Sequence, residues 1–233
     1  YYCIDDSNSC SPNLLSSSAN VTCASGTACQ KYLRFKAADY VGNQGDINVA
    51  LVRIDKNAPY TASDANTAWQ STDQVITLSP TDFDGSGVAL TWYCTDTGNT
   101  CTPSTVDTSF TIYAIADQVS LSYARYRSKD NAGNLEAIKS KYIKIDLEKP
   151  TTTDDSNTAW QSNDVTVTLT PSDGSGSGIQ FTYYCVDTAG TCTPSTSGTT
   201  VSVTCDVNSV CQKYVRYYSV DSVGNTETTN TSS

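Results

Sequence analysis

The sequence predicts an all-β chain built from repeated β-sandwiches. Two observations carry that reading. Short runs of alternating apolar and polar residues are bounded by Gly, Pro, Asn, Asp and Ser, and no useful stretch has a helical apolar period. The chain also repeats itself. Tyr1-Tyr2-Cys3 recurs as Trp92-Tyr93-Cys94 and as Tyr183-Tyr184-Cys185, at an offset of 91 both times.

The same offset carries Cys10 onto Cys101 and Cys192, Pro59 onto Pro150, and Trp69 onto Trp160. Asp39, Gly42 and Asn43 return as Asp130, Gly133 and Asn134, then as Asp221, Gly224 and Asn225, with no insertion or deletion. Boundaries fall between the Ile-Asp pairs at 54–55 and 145–146 and the prolines that follow, since proline favours an extended chain at a strand start. We therefore expect three segments: 1–55, a partial repeat without front strands; 56–146, a complete repeat; and 147–233, a near-complete one.

Within one repeat the elements read in order. Val165, Val167 and Leu169 alternate with threonines, and Ile76 and Leu78 hold the equivalent positions. The turns 82–87 and 173–178 follow, with glycines that permit positive φ. The next strand places Val88, Leu90 and Trp92 on one face, matched by Ile179, Phe181 and Tyr183. Then Leu33, Phe35 and Ala37 alternate with Tyr32, Arg34 and Lys36, and their counterparts are Ala124, Tyr126, Ser128 and Val215, Tyr217, Ser219. Those are assigned to the core face and the Tyr-x-Arg face to the outside. Asp-x-x-Gly-Asn makes a hairpin turn, and a last strand holds Ile138 and Ile143. About seven strands in about 90 residues is the signature of a β-sandwich.

The stretch 123–136, YARYRSKDNAGNLE, resembles the ending of bacterial and archaeal immunoglobulin-like surface repeats, whose fold lies near fibronectin type III. The upstream DGSGSGI and YYCVD strings and the IKID-to-Pro junction resemble that family as well. The resemblance covers the whole chain. It implies tandem immunoglobulin-like sandwiches in an extracellular array, and it implies no enzymatic activity. Two features depart from the pattern: such repeats usually lack these cysteines, and Gly45 replaces the closing Glu in the first copy.

Composition narrows the function. Acids outnumber bases 24 to 14 for a net charge of −10, which disfavours nucleic acid, because binding there rests on Lys and Arg neutralising phosphates. No histidine is present, so His-based triads and His-ligated zinc are excluded. No apolar run approaches the roughly 18 residues needed to span a bilayer as a helix. No methionine is present either, and we expect the chain to be a processed product or part of something longer.

Ten cysteines fall into two classes. Cys3/Cys10, Cys94/Cys101 and Cys185/Cys192 occur in every copy. Cys23/Cys29 and Cys205/Cys211 occur in two copies, and both are replaced together, by Ala114 and Ser120, in the middle one. Joint loss is what a bonded pair produces. The spacings do not match zinc knuckles, so five local disulfides are expected, 3–10, 23–29, 94–101, 185–192 and 205–211, outside the reducing cytosol.

The only catalytic material is carboxylate. Asp5/Asp6, Asp82/Asp84 and Asp154/Asp155 are the obvious pairs, but Asp6 becomes Thr97 and Thr188, and Asp84 becomes Ser175. Recurring acids such as Asp5/Asp96/Asp187 and Asp39/Asp130/Asp221 read as turn caps. No cofactor is required. Calcium is the candidate metal, either on Asp82 and Asp84, which resemble the start of an oxygen-ligand loop, or on Asp55 and Asp146 at the junctions. Tyr32, Tyr123 and Tyr214 are candidate outward contact residues, with Tyr2, Tyr93 and Tyr184 a second recurring set. Asn20 and Asn230 head glycosylation sequons.

The leading expectation is a non-catalytic structural component of an extracellular or cell-surface fibre. Its partners are copies of itself or flanking repeats, and one of these covers the incomplete first sheet. An adhesin that binds a glycan or a partner cell surface and an accessory array of a secreted enzyme are the alternatives.

Overall fold

The computed structural model describes residues 1–232; Ser233, the last residue of the expected 147–233 repeat, lies outside the described residues. The described residues form strands, turns and bends, with no helix among them. Contacts group the chain into two compact units. One comprises Tyr1–Asp64, Ile76–Phe110 and Tyr123–Lys141; the other comprises Ala65–Val75, Thr111–Ser122 and the chain from Tyr142 onward.

The strands β1 (Tyr2–Asp5), β2 (Ala28–Phe35) and β3 (Asn48–Asp55) form one antiparallel sheet in that order. Next come β4 (Tyr60–Ser63), β5 (Trp69–Gln70), β6 (Gln74–Thr81), β7 (Val88–Asp96), β8 (Thr105–Val106), β9 (Ser109–Ile112), β10 (Val119–Asp130) and β11 (Lys139–Asp146). They build a sheet ordered β4-β6-β9 and a sheet ordered β5-β11-β10-β7-β8. The chain ends with β12 (Thr151–Asp154), β13 (Val165–Ser172), β14 (Ile179–Asp187), β15 (Thr196–Ser197), β16 (Thr200–Val203), β17 (Tyr214–Asp221) and β18 (Asn230–Thr231).

These last seven strands make a three-on-four sandwich, β12-β13-β16 against β15-β14-β17-β18. Its core joins Val167, Leu169 and Val201 from the first sheet to Val215 and Tyr217 from the second. That is the strand arrangement of an immunoglobulin-like, fibronectin type III-like sandwich. In the other unit Ile76 and Leu78 on β6, Phe110 on β9, and Ala124 and Tyr126 on β10 are buried. Tyr93 stacks on Phe110 with ring centroids 4.0 Å apart.

Alternation along β10 and β17 puts the assigned residues inward: Ala124, Tyr126 and Ser128, and Val215, Tyr217 and Ser219, are buried. Along β2 and just past it the same series is less covered, with Leu33 half-buried, Phe35 42% exposed and Ala37 exposed. On β7, Leu90 is 42% exposed while Thr91 is buried, so the Val88-Leu90-Trp92 face looks away from the core; Phe181 on β14 is likewise 44% exposed while Thr182 is buried. Ile138 precedes β11, and Ile143 is the residue that fills the core.

The inward threonines are held by a polar network. Ser128 Oγ lies 2.8 Å from Thr91 Oγ1 and 2.6 Å from Thr61 Oγ1. Glu136 accepts from Thr61 N and Oγ1 and from Ser128 N, and it pairs with Lys139. Thr152, Thr182, Ser219 and Glu227 repeat the arrangement, with Asn230 taking the place of the lysine. Ala37 and Gly45 stand where the first copy would need the Ser and the Glu.

Candidate metal centre

Two carboxylate clusters lie inside this scaffold, one in each unit. Asp55, the last residue of β3, meets Asp82 from the turn after β6 and Asp130 from the end of β10. Asp146, the last residue of β11, Asp173 from the turn after β13 and Asp221 from the end of β17 form the second cluster in the equivalent way. In each, the three residues offer oxygens that all lie within 4.8 Å of one another.

Each position has a local cause. Asp130 continues the inward series Ala124, Tyr126, Ser128, and Asp221 continues Val215, Tyr217, Ser219. A register irregularity beside each aspartate turns the strand end into the Asp-x-x-Gly-Asn hairpin. There Asn134 N and Nδ2 donate to Asp130, both at 2.7 Å, and Asn134 Nδ2 also donates to the Asp55 carbonyl at 3.1 Å. Asn225 does the same for Asp221 and the Asp146 carbonyl. The 82–87 turn wraps back so that Gly87 N donates to Asp82 Oδ2 at 2.7 Å and Ser86 N to Asp55 Oδ2 at 2.6 Å. The second turn matches, with Gly178 N on Asp173 Oδ2 and Ser177 N on Asp146 Oδ2. Gly87 and Gly178 have φ of 87° and 90°, a region open to glycine at little cost.

Asp82, Asp130, Asp146, Asp173 and Asp221 are all buried and Asp55 is partly so. The two ion pairs among the described residues, Lys31–Asp6 and Lys139–Glu136, involve none of the six. Two like charges about 4 Å apart repel by about 4 kcal/mol at an effective dielectric of 20. Burial, and then the Asp55 and Asp130 charges, push the Asp82 carboxyl above its ordinary value. Asp173 is raised by burial and by Asp146, Asp221 and Glu148. Burial also disfavours charge on Asp55, but the amides of Asn57 and Ser86 outweigh it and hold that carboxyl low. Asp82 Oδ1 and Asp173 Oδ1 are buried and accept no hydrogen bond. Oxygen-only donors of this kind suit hard divalent cations.

Of the sequence candidates, the structure brings Asp55 and Asp82 together and puts Asp146 in the second cluster, whereas Asp84 is exposed on the turn and outside the first cluster. Asp130 and Asp221, expected as turn caps, and Asp173, in the second glycine-rich turn, complete the clusters. Their signal is recurrence: all three acids of one cluster return 91 residues later, while Asp84 returns as Ser175.

The remaining acids hold loops. Asp96 Oδ2 accepts from Thr100 N, Thr100 Oγ1 and Cys101 N, and Asp5 and Asp187 do the same work in their copies. Arg125 Nη1 braces that loop at the Asn99 carbonyl, 2.7 Å away, and Arg34 reaches the Asn8 carbonyl. Disulfides close it at Cys3–Cys10, Cys94–Cys101 and Cys185–Cys192, and Cys23–Cys29 and Cys205–Cys211 close the other loops. Asp154 and Asp155 serve different partners, Tyr217 and the Thr168 amide.

Tyr32, Tyr123 and Tyr214 are half-buried, and Gln30 and Gln212 donate to the first and last hydroxyls. Tyr93 and Tyr184 face the core, Tyr184 against the Val167 cluster, which corrects their outward assignment. Asn20 is exposed; Asn230 is half-buried and donates to Glu227.

No protein family model matches the chain, and no curated protein matches it. Among solved structures it is similar to the fibronectin(III)-like modules of Clostridium thermocellum CbhA, with 15% identity and a TM-score of 0.35 over 74% of this chain and 91% of that one. It is also similar to the chicken CNTN1 FN1–FN3 domains, with 10% identity and a TM-score of 0.31 over 88% of this chain and 74% of that one.

Proposed function

We propose that the chain is a structural segment of an extracellular or cell-surface fibre, built of tandem immunoglobulin-like modules of the bacterial and archaeal surface-repeat kind. It performs no catalysis. The observation that carries this reading is the repeated Cys-x6-Cys loop, which a disulfide, a carboxylate brace and an arginine strut hold together. Local disulfides belong to oxidising compartments. No helix among the described residues is long and apolar enough to cross a membrane. Copies of the chain, or flanking repeats, are the partners, and they cover the face of β2 on which Phe35 lies. Immunogold labelling of intact source cells, with antibody raised against residues 1–233, tests the reading. Label along surface fibres is expected; label confined to the cytosol overturns it.

A further inference from the structure

We propose that Asp55, Asp82 and Asp130, and separately Asp146, Asp173 and Asp221, are two equivalent Ca²⁺ sites, each tying the end of one strand to two loops of the sandwich that follows it in sequence.

Three observations point to a cation and not merely to acidity. In each cluster one carboxylate oxygen, Asp82 Oδ1 or Asp173 Oδ1, is buried without a partner, although Asp82 is only 5% and Asp173 only 8% exposed. A buried acceptor left empty is costly, and native proteins rarely keep one. Asp5 and Asp96 each leave one oxygen empty too, but those residues are only half-buried and hold loops; Asp82 and Asp173 are the ones more than nine-tenths buried, and they sit at corresponding positions inside a carboxylate cluster. Second, the chain turns donors onto the opposite oxygens, Oδ2 of Asp82 and Asp173, which leaves Oδ1 as the ligand atom. Third, glycine stands where the turn passes closest to the carboxylates. A Cβ on Gly85 would lie 2.5 Å from Asp82 Oδ2 and 2.8 Å from Asp55 Oδ2, and one on Gly176 would lie 2.5 Å from Asp146 Oδ2 and 2.7 Å from Asp173 Oδ2.

The donor chemistry selects the ion. Soft and borderline metals prefer thiolate or imidazole, and here there is no histidine and, among the described residues, no free cysteine. Carboxylates drawn from two strand ends and a turn, with carbonyls and water to complete the shell, suit the irregular coordination of Ca²⁺ better than the rigid octahedron of Mg²⁺. Two charged positions differ between the sites: Asp84, exposed and outside the first cluster, is Ser175 in the second, and Glu148 stands beside the second cluster. Glu148 adds a fourth negative group beside Asp173, where the first site has Asn57. Affinity rises with ligand charge, so the second site binds more tightly.

The inference concerns ion binding and stands apart from the cellular setting proposed above. Its test is calorimetric titration of the EDTA-treated full chain with CaCl₂, together with thermal unfolding. We expect two binding events, the tighter one removed by Asp173→Asn and the weaker one by Asp82→Asn, with Asp84→Asn retaining both. About 5 mM Ca²⁺ should raise the wild-type Tm by roughly 4 °C or more, given affinities of about 10⁻⁴–10⁻³ M for extracellular modules. In EDTA the double variant should unfold no lower than wild type, because it has lost the repulsion along with the site. Failure of the wild-type chain to bind up to about 10 mM Ca²⁺ overturns the proposal without recourse to any variant. So do an undiminished Ca²⁺ response in the double variant and a response to Mg²⁺ or matched NaCl as large as that to Ca²⁺.

Discussion

Gly85 lies against Asp82 so closely that a Cβ there would stand 2.5 Å from the carboxylate Oδ2 and 2.8 Å from Cγ. Asp82 cannot swing aside, because the same Oδ2 is held by Gly87 N at 2.7 Å. Gly85→Ala therefore forces backbone or carboxylate to move, and overpacking of this kind costs about 1–3 kcal/mol. Gly176→Ala meets the same obstruction against Asp146 and Asp173. Gly98→Ala is the contrast, since its nearest neighbour, Thr100 Oγ1, is an ordinary 3.5 Å away. Thermal unfolding should separate the first two substitutions from the third; equal midpoints for Gly85→Ala and Gly98→Ala would show that the turn relaxes freely.

Glu136 concentrates the polar network of its sandwich. Replacing it with Ala removes the acceptor for Thr61 N, Thr61 Oγ1 and Ser128 N and the carboxylate beside Lys139, which keeps its bond to the Thr61 carbonyl. Unsatisfied buried groups cost about 1–3 kcal/mol each, so Glu136→Ala should lower stability by about 3 kcal/mol or more. Glu136→Gln keeps one acceptor oxygen and should cost less. Urea unfolding of the two variants checks the ranking, and a loss below about 1 kcal/mol for the alanine would mean that water replaces the carboxylate.

That network also explains where the sequence misled. Alternation along β10 and β17 was legible because Ala124, Tyr126, Val215 and Tyr217 are apolar and inward. Along β7 the same logic selects Val88, Leu90 and Trp92, yet Thr91 is the buried residue, its hydroxyl satisfied by Ser128 on the neighbouring strand. A threonine paired across strands behaves as core, and no single-strand pattern reveals its partner. The cysteine pairs were legible for the opposite reason. Each closes within a few residues, and the replacement of one pair by Ala114 and Ser120 marks its members as linked. The carboxylate clusters join segments 27 to 75 residues apart, such as Asp55 and Asp130, so only the return of all three acids in the second copy announces them.

Reduction should weaken the chain without dissolving its sheets. Each disulfide closes a loop with a sequence separation of 6 or 7, worth about 2.5 kcal/mol by chain entropy. Asp96 and Arg125 still hold the Cys94–Cys101 loop once the bond is cut. Far-UV circular dichroism should stay β-like in reductant while Tm falls, and residues 56–146, with one bond, should lose least. Collapse of the β signal at ambient temperature would mean that the bonds, and not the core, define the fold.

Tyr217 donates its hydroxyl to Asp154 Oδ2, and this one bond makes stability fall at both ends of the pH scale. Burial alone would raise the Asp154 carboxyl, but bonds from Ser156 and Tyr217 outweigh it and hold it below its ordinary 3.8. A folded-state pKa below the unfolded one stabilises above that unfolded value, and the gain is lost as pH falls through the folded one. The Tyr217 phenol is raised above its ordinary 10.0 by burial, by its bond to Asp154, and by the charges of Asp154 and Glu227. Its contribution is complete below that value and is lost as pH climbs through the raised one. Tyr217→Phe should therefore cost roughly 1 kcal/mol at neutral pH and flatten both limbs of the stability profile. Tyr126 supplies the internal control. Its phenol is also raised, mainly by burial, but it bonds Ser63, which does not titrate in this range. Tyr126→Phe should flatten the alkaline limb alone, and a pH series of thermal midpoints in which the two variants lose the same limbs would refute the assignment.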